Sequence, residues 1–221
     1  MRDQSRSTIR SPAPLEAEAE RTALMDIGRL FYDRGWSRGT SSNFSVVLAR
    51  DPLRLLVTAT GRDKRCLSPA DFVIVDDRGE PANEETAAKP SAETLLHVVA
   101  ARQAGAGAVL HTHSVWATVL SDLYFTAGFL EITGYEMLKG LAGITTHETT
   151  LRLEVFDNLA IPSLADQVSR WLIERRDPLR CGFLIRNHGL YAWGRDLDEA
   201  RRHTEVLEFL LEVTGRRRAL S

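Results

Sequence analysis

Leu110-His111-Thr112-His113-Ser114 puts two imidazoles at positions i and i+2 of an extended segment, where alternate side chains point the same way. Both rings can then reach one divalent ion without backbone distortion, although the same spacing also occurs among surface and core histidines. A third histidine, in Arg186-Asn187-His188-Gly189, stands at another strand end, and the glycine after it permits close backbone approach. Three imidazoles leave a fourth coordination position open, as in catalytic rather than structural zinc centres. The other histidines read as core or surface residues: His97 in mid-helix, His147 in Thr-Thr-His-Glu and His203 on the last helix.

Two carboxylates lie in suitable settings. Glu93 falls in the first turn of an expected helix, and Glu136 falls in Gly134-Tyr135-Glu136-Met137-Leu138-Lys139-Gly140. Each is either a solvated helix-face group or, beside a metal-held carbonyl, a group that moves protons. Gly39-Thr40-Ser41-Ser42-Asn43 and Thr58-Ala59-Thr60-Gly61-Arg62 offer backbone N–H groups and short donors to a phosphate, or else form ordinary polar turns.

Elements that could position these groups follow from periodicity. Leu24, Ile27, Leu30 and Phe31 form a helical stripe ended by Gly35, and Leu164, Val168, Trp171 and Leu172 form another. Helices are also expected from Ser91 to Ala104, at Val115–Leu123, at Ile132–Leu138 and from Asp196 to about Gly215; Ser68-Pro69 resembles one more helix start. Strands are expected at Ser45–Leu48, Leu53–Thr58, Phe72–Val75, Ala108–Leu110, Phe183–Ile185 and Leu190–Trp193. Residues 1–14 lack apolar periodicity and read as a disordered arm, leaving 15–221 as one α/β domain, a sheet covered by helices.

Composition narrows the function classes. The 221 residues carry 28 Lys and Arg against 30 Asp and Glu, a net charge of -2, with no basic excess for nucleic acid or an anionic membrane. No apolar run approaches a membrane span, and the N-terminal residues contain no apolar h-region of a secretory signal. Cys66 and Cys181 form no C-x-x-C pair and suit a reducing cytoplasm.

In this order the segments GTSSNFSV (39–46), TATGRDK (58–64), KPSAETLLH (89–97), VLHTHS (109–114), GYEMLKG (134–140) and RNHGLYAWG (186–194) resemble the class II aldolase/adducin family. The likeness extends from about Glu18 to Thr214, and KPSAETLLH, EMLKG and NHGLYAWG resemble the family's dehydratase branch, which acts on 5-methylthioribulose 1-phosphate in methionine salvage. It implies a three-layer α/β/α domain with a mainly antiparallel central sheet, assembled as a homotetramer with active sites at subunit interfaces. It further implies one zinc ion per subunit on His111, His113 and His188. The glutamate matching Glu93 transfers the proton in the aldolases, whereas one matching Glu136 is the acid/base of the dehydratase branch; with glutamate at both places here, Glu136 is favoured for proton transfer and Glu93 as a supporting or metal-adjacent carboxylate. Asn43, Thr60, Gly61 and Ser91 match positions that contact the substrate phosphate, with Lys139 as a further cation, while Ala92 stands where many aldolases have a second serine. The chemistry so implied is loss of water from a ketose 1-phosphate through an enediolate to a diketone phosphate. A sugar-phosphate aldolase or epimerase would share the same ligands, and an adducin-like interaction module would keep the fold without the chemistry.

Overall fold

Leu24, Ile27 and Phe31 are all buried, and they fix the inward face of α1 (Pro14–Asp33), which Gly35 terminates at φ +77°. The computed structural model describes residues 14–82, 88–174 and 181–220, so the arm expected at 1–14 lies outside the described residues except for Pro14. Beyond α1 come β1 (Asn43–Arg50), β2 (Leu53–Thr58), β3 (Phe72–Val75), α2 (Thr94–Gln103), β4 (Ala108–Thr112) and α3 (Val115–Leu123). They are followed by β5 (Phe129–Ile132), β6 (Leu151–Phe156), α4 (Ile161–Glu174), β7 (Gly182–Ile185), β8 (Gly189–Gly194) and α5 (Leu197–Ala219).

The eight strands form one sheet in the order β3-β2-β1-β4-β8-β7-β6-β5, and only the β6–β7 pair is parallel. Side-chain alternation then sorts the helices into two layers. Val109, Phe183, Tyr191 and Trp193 pack against α2 and α4. On the opposite face Phe44, Val46 and Leu110 meet α1, while Leu184, Leu190 and Ala192 meet α3 and α5. The result is the mainly antiparallel α/β/α sandwich expected, with β4 near its centre.

Four local expectations change. Ile132–Leu138 is not a helix: Leu130 and Ile132 are buried on either side of exposed Glu131, a strand alternation paired with Leu153 and Leu151 of β6. Gly134 at φ +82° then turns the chain into a short 3-10 turn, Glu136–Gly140. The helix expected from Ser91 starts at Thr94, because Ser91 first closes a turn whose carbonyl accepts the Thr94 N–H at 3.1 Å. Ser68-Pro69 yields only the 3-10 turn Pro69–Asp71, which runs straight into β3. Finally α5 continues past Gly215, where an added Cβ would lie 2.1 Å from the Trp116 ring; this glycine admits a close contact with α3 rather than stopping the helix.

Candidate metal centre

Val109, His111 and His113 share one parity, so the two imidazoles emerge on the α2 side of the sheet at the end of β4. Ser114 caps α3 immediately afterwards, its hydroxyl accepting the Ala117 N–H at 3.0 Å, and Trp36 O accepts the His113 N–H at 2.8 Å. His188 arrives on the β7–β8 turn. Asn187 takes φ +53° there, and α3 pins the turn: Ser121 Oγ accepts the Asn187 N–H at 3.1 Å, and Thr118 Oγ1 donates to His188 O at 3.2 Å. Gly189 is required at this crossing, since a Cβ would sit 2.0 Å from Thr112 O.

One nitrogen from each of His111, His113 and His188 lies within 4.8 Å of the others. Leu190 O accepts the His111 Nδ1–H at 2.9 Å, which leaves the Nε2 lone pair facing His188 Nε2 at 3.3 Å. Burial holds His111 well below the ordinary histidine range; it also pushes His113 down to about 4, aided by the charges of His188 and Lys64. A neutral ring is the state in which imidazole binds a metal, and with His111 and His113 held so beside His188 the residues present fit a divalent ion.

A carboxylate completes the group. Glu93, at the head of α2, sets Oε1 3.1 Å from His188 Nε2 and Oε2 3.4 Å from His111 Nε2. Burial opposes its charge, but hydrogen bonding with His188 and the fields of His111 and His188 outweigh that effect and hold it far below the usual carboxylate range. Tyr191, opposite His111 in the β4–β8 register, donates its hydroxyl to Glu93 Oε2 at 2.8 Å and stacks on the His111 ring.

Beside this group lies a cavity of about 200 Å³, bounded by Asn43, Thr60, Gly61, Ser91, Glu93 and His113 among others. The Thr60 N–H to Lys89 O bond of 3.0 Å and the Ala59–Pro90 bridge tie the two loops together. Thus four of the five expected phosphate contacts meet at one place. Asn43 has both amide atoms engaged, however, by Glu93 and His97. A wider groove of about 700 Å³ between α1, β1 and the start of α5 is lined by none of the three histidines.

Glu136 and Lys139 do not join this cavity. They pair with each other on the exposed 3-10 turn, with His147 3.2 Å from Glu136; the Glu136 side chain is 72% exposed, against 16% for Glu93.

A model of the Class II Aldolase and Adducin N-terminal domain matches residues 22–214. The chain belongs to the class II aldolase and adducin family. Within that family, it is 44% identical over 192 residues to the methylthioribulose-1-phosphate dehydratase of Marinobacter nauticus, covering 86% of this chain and 89% of that protein. The Azotobacter vinelandii protein of the same name is 43% identical over 210 residues, covering 94% and 98%. The solved structure of L-fuculose-1-phosphate aldolase from Thermus thermophilus shares the fold, with a TM-score of 0.70 at 24% identity, covering 92% of this chain and 97% of that one.

Three residues of this class II aldolase-like centre were not singled out from the sequence. Tyr191 was visible only as a strand aromatic two residues beyond Gly189. Lys64, in TATGRDK, is buried; its ammonium donates to Arg62 O at 2.6 Å, and burial pushes it down to about 8. Glu208, buried on α5, accepts the Thr112 hydroxyl from beneath the His-x-His segment. The helical position of His97, four residues after Glu93, was the one available sign that the two share a face.

Proposed function

We propose that this protein dehydrates 5-methylthioribulose 1-phosphate to 2,3-diketo-5-methylthiopentyl 1-phosphate and water, with one zinc ion per subunit on His111, His113 and His188. The observation that carries the reading is the placement of Glu93 against two of three converging imidazoles, at the edge of a cavity bounded by Thr60, Gly61 and Ser91. The dehydratase relatives favour loss of water over the C–C cleavage of an aldolase. When bound, zinc supplies a Lewis acid that polarises the ketose carbonyl and acidifies the neighbouring C–H. Backbone N–H groups and hydroxyls at Thr60, Gly61 and Ser91 hold the phosphate, and Glu93 orients the substrate oxygens beside the histidines. Glu136 removes the acidified proton, or returns one to the departing hydroxyl.

Since Glu136 projects to solvent in the single chain, it reaches the histidines from a neighbouring subunit, with Lys139 beside it. Support comes from the surface next to the site: α3 leaves His113 with Val115, Val119 and Leu123 exposed along one stripe, an apolar face fit for a second copy of the chain. The assembly is a homotetramer working in the cytoplasm. Among the described residues no helix is long and apolar enough to cross a membrane.

The test is product analysis with the zinc-loaded protein and three substrates: 5-methylthioribulose 1-phosphate, fuculose 1-phosphate and ribulose phosphate. A diketone from the first is expected. Aldehyde from another, with no diketone from the first, overturns the assignment in favour of an aldolase.

A further inference from the structure

The Glu93 carboxylate is held from behind by a buried chain of hydrogen bonds whose polarity is fixed link by link. Its Oε2 accepts from Tyr191 Oη at 2.8 Å and from Asn43 Nδ2 at 2.7 Å. Because a carboxylate only accepts, Asn43 must present its NH2 to Glu93 and keep Oδ1 for His97 Nε2, 2.5 Å away. His97 therefore carries its proton on Nε2, which leaves the Nδ1 lone pair to accept from Ser45 Oγ at 2.7 Å. Ser45, Asn43 and His97 are buried on β1 and α2, and His97 also meets the Tyr191 ring edge-on at a centroid distance of 5.7 Å.

We infer that His97, acting through Asn43, is a positioning residue that fixes the orientation of the Glu93 carboxylate at the three-histidine centre, with Oε1 toward His188 and Oε2 toward His111. Resting on the proposed role of Glu93 at that centre, the inference explains why a histidine that packs as a core residue stands one helical turn after the carboxylate. With Oε2 held by two donors at 3.4 Å from His111 Nε2, Oε1 is directed at His188 Nε2, 3.1 Å away. Removing the His97 donor frees Asn43 to rotate its amide, and Glu93 loses one of its two anchors. The Nε2 of glutamine can occupy the place of His97 Nε2 and still donate, whereas phenylalanine keeps the volume and donates nothing.

The experiment compares zinc-loaded wild type with His97→Gln, His97→Phe and Ser45→Ala, all assayed on 5-methylthioribulose 1-phosphate with thermal unfolding alongside. His97→Phe is expected to lower kcat by about 10–100-fold with KM changed less than about threefold, and His97→Gln to recover most of that loss. Ser45→Ala, which removes only the outermost link, provides a milder variant should His97→Phe not fold, with a several-fold loss of kcat expected. A second readout needs no turnover: in metal-free protein, nitrogen NMR of His97 should show the neutral Nε2–H form, and the Asn43 side-chain amide should be protected from exchange in wild type and His97→Gln but not in His97→Phe. Equal kcat losses in His97→Gln and His97→Phe that track melting temperature, or an Nδ1–H form of His97, overturn the inference. Should wild type give no diketone, the proposed reaction fails, and the NMR arm alone decides the positioning chain.

Discussion

At the scale of single residues, Glu93 and Glu136 stand in opposite surroundings, and the roles proposed for them differ accordingly. Glu93 is sequestered among imidazoles, and Glu136 is solvated and paired with Lys139 and His147. His113→Ala should therefore lose both metal retention and turnover, because two imidazoles and a carboxylate remain where three imidazoles converged. Glu136→Gln should keep a full complement of metal and lose turnover by about 10²–10⁴-fold, the usual worth of a positioned proton-transfer group. Metal analysis beside single-substrate kinetics reads both, and a fully active Glu136→Gln enzyme would assign the proton to Glu93. The three histidines were legible in the sequence because His-x-His and His-Gly carry their geometry locally. Tyr191 and Lys64 were not, since an isolated Tyr or Lys acquires meaning only when a register such as His111 opposite Tyr191 brings it to the site.

Elements were legible where a stripe or a cap fixed them and obscure where pairing decided. The face of α1 followed from Leu24, Ile27 and Phe31, and α5 opens at Asp196 as expected, whose side chain accepts the Glu199 N–H at 2.8 Å while Glu199 accepts the Arg195 N–H at 2.9 Å. By contrast Phe129–Ile132 is a strand because Leu130 and Ile132 face partners about twenty residues on, which no short window contains. The contact between α5 and β4 has a measurable consequence. Glu208 is buried below Thr112, and burial raises its carboxyl to about 7 despite hydrogen bonds from Ser114 and Thr112. The native state thus binds more protons than the unfolded chain between the ordinary glutamate value of 4.5 and about 7, and stability is lost as pH rises through that window. A difference of that size is worth about 3 kcal/mol, so Glu208→Gln should gain about that much relative to wild type between pH 4.5 and pH 8. Urea unfolding of metal-free protein at the two pH values measures it; an identical stability difference at both would remove Glu208 from the pH response.

For the whole molecule, the net charge of -2 provides no global field to gather a phosphate, so under the proposed function capture would fall to the loops at Thr60, Gly61 and Ser91 and to the metal. Under the proposed function assembly is part of the chemistry, because one chain places its histidines and its Glu136 apart. If each site takes histidines from one subunit and Glu136 from the next around a closed ring, two inactive variants must complement each other. In a mixture of His113→Ala and Glu136→Gln, a working site forms only where a Glu136→Gln subunit supplies the histidines and its His113→Ala neighbour supplies the glutamate. Random equal mixing makes this arrangement at about one interface in four, so coexpressed or co-refolded protein should recover about a quarter of wild-type turnover, whereas each variant alone recovers none. Recovery should also vanish when Val119→Glu is introduced into both chains, if the α3 stripe is the face that brings them together. A mixture that stays inactive although mass spectrometry shows mixed oligomers would place both functions within one chain, and Glu93 would then have to move the proton.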